Sequence, residues 1–158
     1  MTQAQNCLVF TEPPKDFSPK VEVAGCLCEF EDKVLMMKRH PDRPQGETWG
    51  SPAGKLEAGE NPRTAVVREV YEETGLKIDD YRLEEVAIFY ARLPHIDYIY
   101  HSYRTSFEKL PELFLGLDEH TEARWVTIEE AKTLPLIGGG LSLLIHYEKL
   151  KDKKNTRN

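Results

Sequence analysis

The segment GKLEAGENPRTAVVREVYEETGL, residues 54–76, is the most informative stretch of this 158-residue chain. Its second half carries the signals of a helix with defined ends. Asn61 can cap the helix N-terminus, Pro62 suits the first helical position, and Gly75 allows the left-handed turn that ends a helix. We therefore predict a helix that begins at Pro62 and ends just before Gly75.

The predicted helix has an acidic face, because Glu69, Glu72 and Glu73 stand at positions i, i+3 and i+4. The residues available for packing lie about a third of a turn away and are Val66, Val67, Val70 and Thr74. Like charges at these spacings destabilise a helix, and acids near its C-terminal end oppose its dipole. A divalent cation such as Mg²⁺ or Mn²⁺ would reverse both effects, and a solvated acidic face is the alternative.

The same segment resembles the Nudix box, G-x5-E-x7-R-E-U-x-E-E-x-G-U, where U is a bulky aliphatic residue. Every specified position matches, and the matching residues are Gly54, Glu60, Arg68, Glu69, Val70, Glu72, Glu73, Gly75 and Leu76. From average residue frequencies, a chance match in a chain of this length is on the order of one in ten million. Weaker resemblance covers residues 49–54, with Ala53 where glycine is frequent in the family, and residues 122–131.

The resemblance implies a metal site. Glu69, Glu72 and Glu73 would bind Mg²⁺ or Mn²⁺, and Gly54 would add its backbone carbonyl oxygen. Glu57, which lies inside the x5 segment, would join the site through water. The implied cofactor is therefore Mg²⁺ or Mn²⁺.

The resemblance also implies catalytic residues, and Glu72 and Glu73 are expected to be catalytic as well as metal ligands. Arg68 would hold a box glutamate in place by an ion pair, and Glu60 would brace the junction of loop and helix. Some family members place the catalytic base in the box and others on a later loop, where Glu119 lies in this sequence. An ordinary surface acid is the alternative for Glu119.

The implied activity is cleavage, by water, of the pyrophosphate linkage of a nucleoside diphosphate derivative. The first hypothesis is a nucleoside triphosphate pyrophosphohydrolase, and an ADP-ribose or nucleotide-sugar pyrophosphatase is the alternative. A nucleotide-sensing module of the same fold is an alternative of another class. Such a module is expected to lose box glutamates, and this sequence has them all. Tyr90 and Pro94 lie near positions that mark some subfamilies, and neither identifies the substrate.

Residues that would contact the base or the phosphates are open at this point. The candidates for stacking on a base are Tyr90, Tyr98, Tyr100 and Tyr103. Aromatic residues on strands more often pack within the sheet. Arg39 ends a predicted strand and could contact phosphate, and His120 adjoins the loop that carries Glu119. Surface or core packing is the default interpretation of His120 and of the other histidines.

Strands and helices alternate on both sides of the box. We predict strands at residues 21–30, 34–39, 82–92, 97–108 and 122–126. Further helices are predicted after Thr127, which forms a capping box with Glu130, and at residues 141–150. Hairpins with interspersed helices indicate an α/β (α+β) fold, a Nudix-type α/β/α sandwich with a mixed central sheet flanked by helices.

Length and composition suit one domain over residues 1–158, with an irregular lead-in at 1–20 and a frayed tail at 151–158. The formal net charge of −6 argues against long nucleic acid as a partner, but not against a small nucleotide. No apolar run approaches the ~20 residues of a membrane helix, and the first ten residues do not resemble a signal peptide. Whether the chain forms a homodimer is open.

The three cysteines, Cys7, Cys26 and Cys28, lack the spacing of a zinc site. We expect buried structural thiols, because free cysteine behaves as a small apolar residue. A reducing cytoplasm is the simplest location for such a protein.

Overall fold

The computed structural model describes residues 6–155, which form a sheet and three helices. The strands are β1 (Leu8–Phe10), β2 (Pro19–Phe30), β3 (Lys33–Arg39), β4 (Trp49–Gly50), β5 (Ala53–Lys55), β6 (Glu84–Leu93), β7 (Ile96–Phe107) and β8 (His120–Thr127). The helices are α1 (Pro62–Thr74), α2 (Ile128–Ala131) and α3 (Gly140–Asn155), with a 3₁₀ turn at Asp80–Arg82.

The sheet is mixed, as predicted, because β2 pairs in parallel with β7 while its other pairings are antiparallel. The main strand order is β1-β6-β7-β2-β3-β4, with β5 added to β2 and β8 added to β3. Strands β2 and β3 pair only beside their turn, at Glu29↔Val34 and Phe30↔Lys33. Beyond that point β2 pairs with β5 and β3 pairs with β4, while β8 pairs with the other edge of β3. This separation opens the sheet at the place where the box begins.

Helices cover both faces of the sheet, which confirms the predicted α/β/α sandwich. On one face, Val66 and Val70 of α1 are fully buried against Cys26 and Leu35 of the sheet. On the other face, Leu143, Leu144 and Tyr147 of α3 form a buried cluster with sheet residues that include Leu27, Met36 and Phe89. Burial of each valine or leucine of these clusters contributes roughly 1.5–3 kcal/mol, so two separate cores hold the layers together.

Helix α1 begins and ends as its sequence predicts. The Asn61 side chain accepts a hydrogen bond from the Thr64 backbone N at 2.9 Å, and Pro62 occupies the first turn. Gly75 has a φ of 76°, and its N–H donates to the Tyr71 carbonyl. Only glycine adopts that conformation at little cost, so the helix stops there. Among residues 6–155, no helix is both long and apolar enough to cross a membrane.

The predictions for the two chain ends are partly wrong. Residues 1–20 are not an irregular lead-in throughout, because Leu8–Phe10 pair with β6 and β2 begins at Pro19. Residues 151–158 are not a frayed tail throughout, since α3 continues to Asn155 and Lys154 forms an ion pair with Glu84. Contacts with distant strands stabilise both segments, and local sequence patterns do not report such contacts. Residues 1–5 and 156–158 lie outside the described part.

The three cysteines are free thiols. Cys26 and Cys28 are buried beneath α1, as predicted. The prediction is wrong for Cys7, which is half-buried, with its sulfur 4.0 Å from the Tyr98 hydroxyl.

Candidate active site

Arg68 of α1 contacts four acidic side chains. Its Nη2 and Nε donate to the two carboxylate oxygens of Glu60 at 2.8 and 2.9 Å. Its Nη1 donates to Glu69 at 2.8 Å and to Glu72 at 3.2 Å, and Glu57 lies 3.8 Å from Nε. Bidentate guanidinium–carboxylate contacts fix orientation as well as charge. Arg68 therefore joins the loop to the helix and directs the Glu69 side chain.

Glu60 closes the loop that precedes α1. Besides Arg68, its carboxylate accepts a hydrogen bond from the Glu57 backbone N at 3.0 Å. The hydrogen bonds from Arg68, followed by that from Glu57, lower the pKa of Glu60 to about 2. The carboxylate thus stays ionised in ordinary buffers and holds the loop against the helix.

Gly54 allows the Glu69 carboxylate to lie against the backbone of β5. A Cβ atom at position 54 would overlap the Glu69 carboxylate group. Burial raises the pKa of Glu69, although the ion pair with Arg68 lowers it. A glycine is needed at this position because of this close approach.

Glu73 is the most buried acid of the box, with 6% of its surface exposed. One carboxylate oxygen accepts a hydrogen bond from the Ala53 backbone N at 3.2 Å. Burial, followed by the negative charges of Glu69 and Glu119, raises its pKa to about 9, while the Ala53 hydrogen bond and the charge of Arg39 act in the opposite direction. The site therefore concentrates negative charge where little water reaches it.

Glu119 and His120 reach the same place from the start of β8. Potential ligand atoms of Glu73, Glu119 and His120 lie within 4.8 Å of one another. His120 is 6% exposed, and burial, followed by the charges of Arg39 and Arg43, lowers its pKa to about 4. Its imidazole is therefore uncharged at neutral pH. Two segments about 46 residues apart in the chain are brought together here.

A cavity of about 680 Å³ opens from this cluster. Its charged end is lined by Arg39, Arg43, Glu69, Glu73, Glu119 and His120. Its other end, between β6, β7 and the start of α3, is lined mainly by apolar residues: Val9, Ala91, Leu93, Ile96, Tyr98 and Leu143. One end thus suits a charged group and a cation, and the other suits an organic group of low polarity.

Two of the acids expected in the metal site lie outside this cavity. The Glu72 side chain is 55% exposed and pairs with Arg68. Glu57 is also exposed, and its carboxylate lies 3.8 Å from Nε of Arg68. Glu69 and Glu73 face the cavity together with Gly54, whereas Glu72 and Glu57 do not line it.

The tyrosines considered for stacking on a base also differ in whether they line the cavity. Tyr98 and Tyr100 line the cavity, as does Arg39, the basic residue singled out from the sequence. Tyr90 packs edge-to-face against a neighbouring ring at 5.5 Å. Tyr103 lies on the α1 side of the sheet, under an arginine side chain. Only the first two tyrosines are placed to contact a bound organic group.

Sequence reasoning missed Arg43. The Arg43 guanidinium lies 3.6 Å from the Glu119 carboxylate and donates to the Asp118 carbonyl at 3.3 Å. Its loop is anchored by Gln45, whose side-chain oxygen accepts from the Gly138 backbone N at 2.8 Å. The available signal was a basic residue in the loop directly after β3, which is too common a feature to select it.

Comparison with known proteins gives the same picture over most of the chain. A family model described as NUDIX domain matches residues 18–143. Over 121 residues the chain is 29% identical to the uncharacterized Nudix hydrolase YvcI of Bacillus subtilis (strain 168). That alignment covers 74% of this chain and 72% of YvcI. Over 135 residues the chain is 27% identical to the CTP pyrophosphohydrolase of Escherichia coli (strain K12), with 83% and 93% covered. Several shorter matches span less than half of the relatives' length.

Among solved structures, the NUDIX domain of Shewanella oneidensis NrtR complexed with ADP ribose superposes with a TM-score of 0.71. The superposition covers 87% of this chain and 92% of that chain, at 18% sequence identity. At that identity the likeness concerns the fold alone.

Proposed function

The chain belongs to the Nudix hydrolase family, and from this premise we propose that it is a divalent-cation-dependent pyrophosphohydrolase of nucleoside diphosphate derivatives, with nucleoside triphosphates as the preferred substrates. The observation that carries the proposal is that the box carboxylates and the apolar end of the cavity, called here the apolar chamber, belong to one continuous cavity. The similarity to a CTP pyrophosphohydrolase over 93% of its length supports the choice of a triphosphate.

The donor set fits a hard divalent cation. Glu69 and Glu73 face one cavity, and Gly54 leaves room for the Glu69 carboxylate. Burial, followed by the neighbouring acids Glu69 and Glu119, raises the pKa of Glu73, and a bound cation would offset both effects. Mg²⁺ and Mn²⁺ bind carboxylate oxygens and retain positions for phosphate oxygens and water. These residues would hold the cation, and Glu72 would join only if its exposed side chain turned inward. A bound cation would supply charge neutralisation and a more acidic water.

The remaining charged residues of the cavity suit the other needs of the reaction. Arg39 and Arg43 would contact the phosphates, since both line the charged end. Water attacks a phosphorus atom, the bridging P–O bond breaks, and a triphosphate yields a nucleoside monophosphate and pyrophosphate. Glu119 would accept the proton of that water, because it lies beside Glu73 without being enclosed. The base and sugar would occupy the apolar chamber, beside Tyr98.

The test is a panel of nucleoside triphosphates, ADP-ribose and nucleotide sugars, incubated with Mg²⁺ or Mn²⁺, with products identified by mass. We expect a triphosphate to give monophosphate and pyrophosphate at the highest kcat/KM. The Glu73→Gln variant should lose turnover by roughly 10²-fold or more, because it removes a charge that holds the cation without changing volume.

The matched control is Glu112→Gln, which removes an exposed acid remote from the cavity. It should keep the wild-type rate. Unchanged turnover in excess chelator, or no product from any compound of the panel, would contradict the proposed activity.

A further inference from the structure

The His120 side chain is buried without a hydrogen-bond partner at one ring nitrogen. Within residues 6–155, Nδ1 of His120 has no partner, and the residue is 6% exposed. Most buried polar side-chain atoms have at least one partner, so each exception requires an explanation. This imidazole also lines the cavity, beside two carboxylates.

The surroundings of His120 combine acids and two arginines. A ring nitrogen of His120 lies within 4.8 Å of carboxylate oxygens of Glu73 and Glu119. Arg39 already donates to the Pro44 carbonyl at 2.7 Å, and Arg43 is engaged with Glu119 and Asp118. The imidazole thus brings a ring nitrogen next to both carboxylates, at the charged end of the cavity.

We propose that His120 supplies a nitrogen ligand to the cation held by Glu73, which makes a mixed oxygen and nitrogen site that selects Mn²⁺ over Mg²⁺. Imidazole nitrogen suits transition-metal ions, whereas Mg²⁺ prefers carboxylate and water oxygens. Glu119 remains the proton acceptor beside the site. The inference rests on the proposed function only in that a cation occupies this cavity.

The ligand is tested without substrate, by pulsed electron paramagnetic resonance of the Mn²⁺-loaded protein. We expect a nitrogen coupling from imidazole in the wild type, and its pattern should change when the histidines are labelled with ¹⁵N. The variant His120→Asn should lose this coupling. Its Mn²⁺ affinity should fall by about 10-fold or more, because even residues that only support a ligand are worth that much. Its Mg²⁺ affinity should change far less.

The matched control is His101→Asn, which removes a histidine that pairs with Glu22 at 2.9 Å and does not line the cavity. It should keep both the coupling and the Mn²⁺ affinity. Absence of histidine coupling in the wild type overturns the proposal even if His120→Asn fails to fold, and so does persistence of the coupling in a folded His120→Asn. Failure of the proposed activity gives a different result, in which the coupling is present and no nucleotide is cleaved.

Discussion

Glu119 differs from the box glutamates in how it is held. Glu73 accepts a hydrogen bond from the Ala53 backbone and Glu69 accepts one from Arg68. The Glu119 side chain is half exposed, and among residues 6–155 its ion pair is with the Arg43 guanidinium at 3.6 Å. A carboxylate that already binds a cation is a poor proton acceptor. An acid that is close to the cation site but loosely held is better suited to take and release a proton.

We predict that Glu119→Gln lowers kcat by roughly 10²–10⁴-fold, the usual contribution of a general base. Affinity for Mg²⁺ or Mn²⁺, measured by titration, should hardly change. Asp118→Asn alters the neighbouring acid on the same turn and should keep most of the activity. A Glu119→Gln rate within a factor of about three of wild type would remove Glu119 from the mechanism.

Which site residues the sequence predicts depends on how they are joined. Gly54, Glu69 and Glu73 belong to one short segment, so their spacing alone places them near one another. Arg43 and His120 reach the site only because β8 pairs with β3, with His120 opposite Arg39. That pairing joins residues far apart in the chain, and no local pattern reports it. The choice of Glu119 came from the family resemblance, and its role remains a prediction.

At the scale of elements, helix α1 was predictable because its ends depend on single residues. Asn61 and Gly75 act within one turn of the helix, through contacts that the sequence itself displays. Strand β1 was not predictable, since three residues become a strand only by pairing with β6. The loop before α1 is an intermediate case, because its shape depends on the pair formed by Glu60 and Arg68.

We predict that this pair makes the protein sensitive to acid. The pKa of Glu60 is lowered from 4.5 to about 2 in the folded protein, mainly by hydrogen bonds from Arg68. Its contribution to stability is therefore present above pH 4.5 and is lost as pH falls from 4.5 toward 2. Glu60→Gln should be less stable than wild type at neutral pH, and the difference should shrink in that acidic window.

Denaturant unfolding followed over that pH range measures the effect. The control is Glu57→Gln, because Glu57 contributes only a 3.8 Å contact with Arg68, and its stability should follow wild type. Parallel stability curves for wild type and Glu60→Gln across the acidic range would mean that the pair does not stabilise the loop.

At the scale of the whole molecule, the fold concentrates like charge. Packing α1 against the sheet places Glu73 beside Glu69 and close to Glu119, which arrives from β8. The two apolar cores stabilise an arrangement that its own charges oppose. The metal-free protein consequently contains an electrostatic penalty that grows as Glu73 ionises.

We predict that the metal-free protein loses stability as pH rises from 4.5 toward about 9. The folded-state pKa of Glu73 is raised from 4.5 to about 9, so its stabilising effect is complete below 4.5 and declines up to about 9. Near pH 8 in chelator, Glu73→Gln should therefore be more stable than wild type, with a free energy of unfolding higher by on the order of a few kcal/mol. This difference should disappear near pH 5. Saturating Mn²⁺ should raise the melting temperature of wild type more than that of the variant.

Calorimetry of both proteins, with and without cation, checks this prediction. Glu112→Gln again serves as the control and should follow wild type at each pH. If the metal-free wild type is equally stable from pH 4.5 to about 9, ionisation of the buried Glu73 does not destabilise the fold.

The cavity has two ends of different origin, and this has a consequence for how such an enzyme can diversify. The charged end comes from residues 54–73, Arg39, Arg43 and β8, whereas the apolar end comes from β1, β6, β7 and the start of α3. Mutations in Leu8–Phe10 or residues 137–144 can reshape the chamber while the carboxylates stay in place. A directed-evolution library restricted to those two segments would vary substrate specificity while the residues of the chemical step stay constant. Related enzymes can therefore share a catalytic mechanism and differ in the substrate that they bind.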